Sequence, residues 1–192
     1  PVAWLSLDEQ DDEPRRFWSY VIGALENTVL EHQATIHHYL DTPGAEHIEG
    51  ALTAFINTLI NQSIEHASLI LDDYHLIQDP DIQRQITFLV DHAPPALHLV
   101  LLSRTEPPLP LSRWRVKGWM EGLHASDLAF SESECSAFFN NYMGLALDDE
   151  KVRAIWRRTE GWAAAMQLTA LSGKSMNSGR VSHAVLSEGD HS

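Results

Sequence analysis

Cysteine is nearly missing from this sequence: Cys135 is the only one in 192 residues. That excludes an internal disulfide and any zinc site built on cysteine. Positive charge is scarce as well, 13 Lys and Arg against 27 Asp and Glu, a formal net charge of −14. Proteins that hold nucleic acid present a basic face to its phosphates, so no direct nucleic-acid contact is expected from this segment. No apolar run approaches the roughly 18 residues a membrane helix requires, and "PVAWLSLDEQDD" lacks the basic start and apolar stretch of a signal peptide. A cytoplasmic protein that contacts no membrane is the simplest reading.

Metal-ligand spacing is lacking too. Eleven histidines are present, but His37 and His38 are helix neighbours that point apart, and no H-E-x-x-H occurs; they read as mostly solvated. A phosphate cradle, G-x-x-x-x-G-K-[ST] between a strand and a helix, is also not found in this stretch. The Gly-Lys-Ser at 173–175 is a decoy, because Leu168 stands where the first glycine belongs and the segment trails a helix.

What is present describes a globular chain, 44% hydrophobic and 21% charged with six Trp. Val2 to Leu7 reads as a strand already under way, as expected of a piece of a longer protein. Residues 172–192, rich in Ser, Gly and His, read as a frayed tail. The acidic run 8–13 reads as a solvated loop. A helix then opens near Pro14 with Phe17, Trp18, Val21, Ile22, Leu25 and Val29 on one face, and Pro43-Gly44 breaks the pattern. A second helix carries Ile48, Leu52, Phe55, Ile56, Leu59 and Ile60. Leu69 to Leu71 is short and uniformly apolar, which predicts a strand covered on both faces. Asp79 and Pro80 then cap and start a helix that stops at Pro94-Pro95, and 97–104 reads as another buried strand. A short basic helix follows around Arg113 to Lys117, and "WMEGLHASDLAF" is expected to hold a last strand and a linker.

Strands alternating with helices predict an α/β domain with a parallel sheet of βαβ units. Beyond residue 130 only helical patterns remain. Ser131 with Glu134 forms a capping box, opening a helix with Cys135, Phe138, Phe139, Tyr142 and Met143 on one face, where Cys135 is a packed thiol. Asp148 caps the next helix, which stops near Gly161, and another runs from Trp162 to about Leu171. The organisation expected is therefore an α/β domain over 1–125, a small helical subdomain over 126–172, and a disordered tail over 173–192.

In open α/β sheets, ligands sit beyond the carboxyl ends of the strands. Two predicted strands end there in polar groups, Asp72-Asp73 and Ser103-Arg104. In a phosphate-binding domain, a strand-end aspartate can hold Mg²⁺ through water, its neighbour can polarise the attacking water, and an adjacent arginine can read the terminal phosphate. Alone, either pair reads more readily as a turn; together, at the same end of neighbouring strands, they strengthen the site reading. His75 is weighed as a ligand contact or a turn residue, and the turn is favoured.

Five separated stretches carry a resemblance: "VAWLSLDEQDDEPRRFWSYVIGAL", "LILDDYHLI", "FLVDHAPPALHLVLLSRTEPPLPLSRWR", "LHASDLAFSESE" and "RTEGWAAAMQLTAL". In this order they resemble the nucleotide-binding region of the MalT-like, large LuxR-type transcriptional regulators, which are signal-transduction ATPases of the STAND class. The resemblance implies a P-loop NTPase-like fold whose N-terminal P-loop unit is missing here. It implies an ATP/ADP switch with Mg²⁺ that controls self-association and transcription activation, with a small-molecule inducer and DNA bound by regions outside this chain. Carried over, Asp72 holds Mg²⁺ through water, Asp73 supports hydrolysis as the catalytic residue, and Arg104 lies near the γ-phosphate. Gly161 and Trp162 mark the helical segment that closes over the nucleotide, although Ala163 and Ala164 replace the proline that often follows. The expectation is that this chain alone lacks the phosphate cradle and is inactive as an ATPase. Two other readings stay open: an interaction module or remnant without nucleotide binding, and, ranked last, a metal-dependent hydrolase using Asp72 and Asp73.

Overall fold

A computed structural model of the chain describes residues 1–28, 34–42, 45–61 and 65–172. Val29, the Pro43-Gly44 break, the Gly-Lys-Ser at 173–175 and the tail lie outside the described residues. Two compact units divide the chain, Pro1–Trp119 and Met120–Ser192.

The first unit is built on a three-stranded parallel sheet in the order β1-β2-β3, with β1 at Val2–Ser6, β2 at Ala67–Asp72 and β3 at Leu97–Leu101. Helices α1 (Pro14–Glu26), α2 (Ala34–Asp41) and α3 (Ala45–Asn61) connect β1 to β2, and α4 (Pro80–His92) connects β2 to β3. Local chemistry sets the ends of these helices. Glu13 accepts the N–H groups of Arg15 and Arg16 ahead of Pro14, and Asp79 accepts those of Asp81 and Ile82 ahead of Pro80. Both satisfy donors that the first helical turn leaves open, with proline where its missing N–H does no harm.

Both crossovers step across the sheet in the same direction, and crossovers are almost always right-handed, so their helices lie on one side. The burial agrees. Ala3, Leu69 and Leu71 are sealed on that side with Phe17, Trp18, Ile22, Phe55 and Ile86, while Leu5, Leu97, Leu99 and Leu101 pack against them. On the opposite side Trp4, Ile70 and Val100 stand in register across the three strands. There Val2, Trp4, Val100 and Leu102 are exposed, Trp4 at 56%. This corrects the expectation that 69–71 and 97–104 are covered on both faces: among the described residues, nothing buries the second face.

Polar groups in the core are paired. The Trp18 indole N–H donates to Gln85 Oε1 (2.7 Å), the Tyr74 hydroxyl donates to Gln83 Oε1 (2.8 Å), and Gln83 Nε2 donates to the Ile77 carbonyl (2.9 Å). Burial is the main cause that pushes the Tyr74 phenol well above its ordinary range, against the Gln83 hydrogen bond, which works the other way. Tyr74 therefore stays a donor at neutral pH. A short helix, α5 (Leu111–Val116), buries Leu111 and Trp114.

In the second unit the expected last strand is not formed. Residues 119–124 are irregular and α6 (Ala125–Leu128) follows. Its start is closed by the His124 N–H donating to Asp127 (2.7 Å), and Leu123 and Leu128 are exposed rather than paired in a sheet. Helix α7 (Glu132–Ala137) opens on the Ser131–Glu134 capping box, and α8 (Asp149–Thr159) opens on Asp148, which accepts the Lys151 N–H. A last helix, α9, covers 163–172. Cys135, Phe139, Val152, Met166 and Ala170 form the core of this unit. Burial, then Glu132, raises the Cys135 thiol above its ordinary pKa, as suits a packed group. Tyr142 departs from the expected buried face. The chain widens to a π-turn over Phe138–Tyr142, which rotates the residues that follow, and Tyr142 ends exposed, stacked on Phe138 at 5.9 Å. Among the described residues no helix is long and apolar enough to cross a membrane.

Candidate functional site

Strand β2 ends at Asp72, opposite Ser6 of β1. The chain then turns sharply. Leu7 N–H donates to the Asp72 carbonyl (3.0 Å), Tyr74 N–H to the Leu102 carbonyl (2.9 Å) and Leu102 N–H to the Leu71 carbonyl (3.0 Å). These bonds tie the ends of all three strands around one corner, with Asp72 and Asp73 in it. Asp73 sits in the left-handed region, φ 57°, which aspartate tolerates better than most residues. Its N–H donates to Asp72 Oδ1 (2.9 Å), and its carbonyl accepts the Leu76 N–H (3.0 Å). The Asp73 side chain is 45% exposed, and His75 Nδ1 lies 3.9 Å from its Oδ1.

Sequence-predicted residues are thus brought together in part. Asp72 and Asp73 share the corner, and the segment after β3 leaves the sheet at the same end. There Ser103 Oγ donates to the Thr105 carbonyl (2.6 Å), and Arg104 is exposed without an ion pair to either carboxylate. Gly161 and Trp162 belong to the second unit. Gly161 has φ +72°, and an added Cβ would run into the Phe130 carbonyl oxygen and lie 2.9 Å from its nitrogen. Phe130 N–H donates to the Gly161 carbonyl (2.9 Å), and the Trp156 indole donates to the Phe130 carbonyl (2.8 Å). Only glycine fits this turn. Trp162, the next residue, is 52% exposed.

The acidic run 8–13 is more than a solvated loop, which is a second correction. Asp8 accepts the Gln10 N–H, buried Asp11 accepts from Arg16 Nε (2.8 Å), and Asp12 Oδ1 accepts the N–H groups of Gln78 (2.8 Å) and Asp79 (2.7 Å). Asp12 therefore braces the loop after β1 against the start of α4, next to the carboxylate corner. Partners that far apart in the chain leave no local signal for a reader of the sequence.

Oxygen donors of this kind suit a hard cation such as Mg²⁺. Among the described residues, Asp72 keeps one carboxylate oxygen and Asp73 both oxygens without a hydrogen bond. Among the described residues no group of three or more metal-binding side chains occurs, so a cation here would keep several waters or take further ligands from its substrate, as Mg²⁺ commonly does.

A parallel α/β domain with paired carboxylates at the end of its central strand is the class of protein that this fold and corner define. No family model matches the chain. Among curated proteins it is 35% identical, over 180 residues, to the HTH-type transcriptional regulator MalT of Serratia proteamaculans (strain 568), covering 92% of this chain and 20% of that protein. It is 33% identical over 180 residues to the regulator of the same name from Yersinia enterocolitica serotype O:8 / biotype 1B, with the same coverage. The chain is MalT-like over nearly all its length and spans about a fifth of the curated relatives it matches.

Proposed function

We propose that this chain is part of an ATP-dependent switch in a MalT-like transcriptional activator, where ATP or ADP with Mg²⁺ controls self-association and thereby transcription. The observation that carries the reading is the corner at the end of β2, where Asp72 and Asp73 hold three unbonded carboxylate oxygens beside the end of β3. Asp72 would hold Mg²⁺ through water and Asp73 would support hydrolysis. Arg104, exposed beyond the neighbouring strand and without an ion pair among the described residues, would read the terminal phosphate. Mg²⁺ would supply charge neutralisation across the phosphates. In the second unit Gly161 shapes the turn that leaves Trp162 exposed, and the nucleotide role carried over to both rests on the resemblance.

The phosphate cradle lies, in this reading, outside these 192 residues, and the inducer and DNA are bound there too. Without a backbone N–H cradle and its lysine, most phosphate-binding energy is missing. The 192-residue chain is then a weak nucleotide binder and no working ATPase. A second reading, an interaction module without nucleotide binding, draws on the apolar row Trp4, Ile70 and Val100 on the open sheet face.

Titrating a fluorescent ATP analogue with Mg²⁺ into this chain, and into a version lengthened through a phosphate-binding loop, separates the two. Binding only by the longer protein, weakened by Asp72→Asn, is the expected result. Binding by neither overturns the switch and leaves the interaction module.

A further inference from the structure

Positive charge is scarce in the first unit, and most of it is held in internal pairs. Arg15, Arg16, Arg84 and Arg113 each meet a carboxylate of the same unit: Asp41, Asp11, Asp81 and Asp91 in turn. Arg104, Arg115 and Lys117 form no ion pair among the described residues. The phosphate reading accounts for Arg104 and leaves the other two without a role. They stand at the end of α5 beside Val116, 89% exposed, and Trp119, 53% exposed, with the Lys117 ammonium 3.9 Å from the centre of the Trp119 ring. Arginine and tryptophan around an apolar contact are what the energetically dominant parts of protein interfaces are made of.

This patch is rigidly backed. On the inner side of α5, Arg113 donates to Asp91 Oδ2 (2.6 Å) and the Trp114 indole donates to Asp91 Oδ1 (3.3 Å). A surface already held in place loses little entropy when a partner docks on it.

Charge identifies the partner. The complement stands on the same unit, where Asp8, Glu9 and Glu13 are exposed and the run is fixed by the Asp8 cap and by the Asp12 bonds to Gln78 and Asp79. One copy cannot bring the two surfaces together. The acidic run follows the end of β1, at one edge of the sheet, whereas Asp91 ties α5 to the end of α4, where the chain turns back to the start of β3 at the other edge. Two copies can. Because the surfaces differ, their contact is heterologous and builds chains or rings rather than closed pairs.

We propose that the end of α5, Arg115 to Trp119, docks on the acidic run 8–13 of a second copy and joins copies head to tail. This names a surface for the self-association of the switch proposed above, and its link to nucleotide rests on that reading.

This chain carries both surfaces, so sedimentation velocity tests the docking without nucleotide. The expected result is association that weakens between about 50 mM and about 500 mM salt, as exposed charges are screened. Arg115→Glu with Lys117→Glu should weaken it about tenfold, the scale of reversing two exposed charge pairs, and Glu9→Lys should weaken it less. A mixture of the two variants should associate more strongly than either alone, because each then meets its complement. All three side chains are exposed, and circular-dichroism melts check that the variants stay folded. A monomer at about millimolar concentration and low salt, or association indifferent to both reversals, overturns the proposal. Association that ignores salt and is lost on Trp4→Ser belongs to the open sheet face and overturns it too. The switch fails separately: if the protein lengthened through a phosphate-binding loop associates through this patch but ignores ATP, the docking stands and nucleotide control does not.

Discussion

The two faces of the sheet carry similar residues and have opposite fates. Ala3, Leu69 and Leu71 are sealed beneath α1, α3 and α4, whereas Val2 and Trp4, which flank Ala3, and Val100 and Leu102, which flank Leu101, lie open. Apolar character on both faces therefore does not decide burial. Crossover direction does: both connections run the same way across the sheet, so one face receives the crossover helices. A fully apolar strand such as "LIL" is compatible with either outcome.

The sharpest way to break this comparison is to truncate one apolar side chain on each face and follow urea unfolding. Leu71→Ala should cost about 2–5 kcal/mol, through lost transfer energy and the cavity left behind. Trp4→Ala, on the open side, should cost less than about 1 kcal/mol, because a half-exposed side chain loses little burial. If Trp4→Ala proves as damaging as Leu71→Ala, the open face is covered in solution.

Backbone fit gives a second contrast, this time in the helical unit. Gly161→Ala removes no apolar burial at all, yet it forces a side chain into a left-handed position against the Phe130 backbone. Strain of that kind costs about 1–3 kcal/mol before the overlap is counted, and it should lower the melting temperature of the second unit. A neutral Gly161→Ala would mean that the turn can open away from Phe130.

Within the covered face, polar pairing can be set against packing. Gln85→Met keeps the volume next to Trp18 but leaves the indole N–H without an acceptor, at about 1–3 kcal/mol. Trp18→Phe added to Gln85→Met should recover part of that loss, since the orphaned donor is gone. No recovery in the double variant would show that packing, not the hydrogen bond, makes Gln85 matter.

Much of this organisation was legible in the sequence because its signals are local. The Glu13–Pro14 and Asp79–Pro80 starts, the Ser131–Glu134 box and the Asp148 cap depend on residues within a turn of one another. The paired carboxylates were legible for the same reason, as an apolar run ending in acid. What escaped depends on distant partners or on geometry without a residue signature. Asp12 reaches Gln78 and Asp79 across the α1–α3 connection. The π-turn that swings Tyr142 outward carries no marker in "FFNNY". The strand expected in 119–130 has apolar residues enough, but nothing in that stretch tells whether a sheet edge is there to receive it.

The smallest expected effect lies at the helix starts of the second unit, where stabilisation is electrostatic and exposed. The Ser131 N–H, then its hydroxyl, hold the Glu134 carboxyl below its ordinary pKa, and the Lys151 side chain, then its N–H, do the same for Asp148. A carboxyl with a depressed folded pKa contributes stability that is complete above its unfolded pKa and is lost as pH falls through the folded one. The second unit should therefore weaken from about pH 4 downward. Combining Glu134→Gln with Asp148→Asn should flatten that slope in circular-dichroism melts, while the Leu71→Ala deficit, which involves no titrating group, should stay the same between pH 7 and pH 4. A slope unchanged by the double variant would place the acid sensitivity elsewhere, with the Asp11–Arg16 pair of the first unit as the next group to remove.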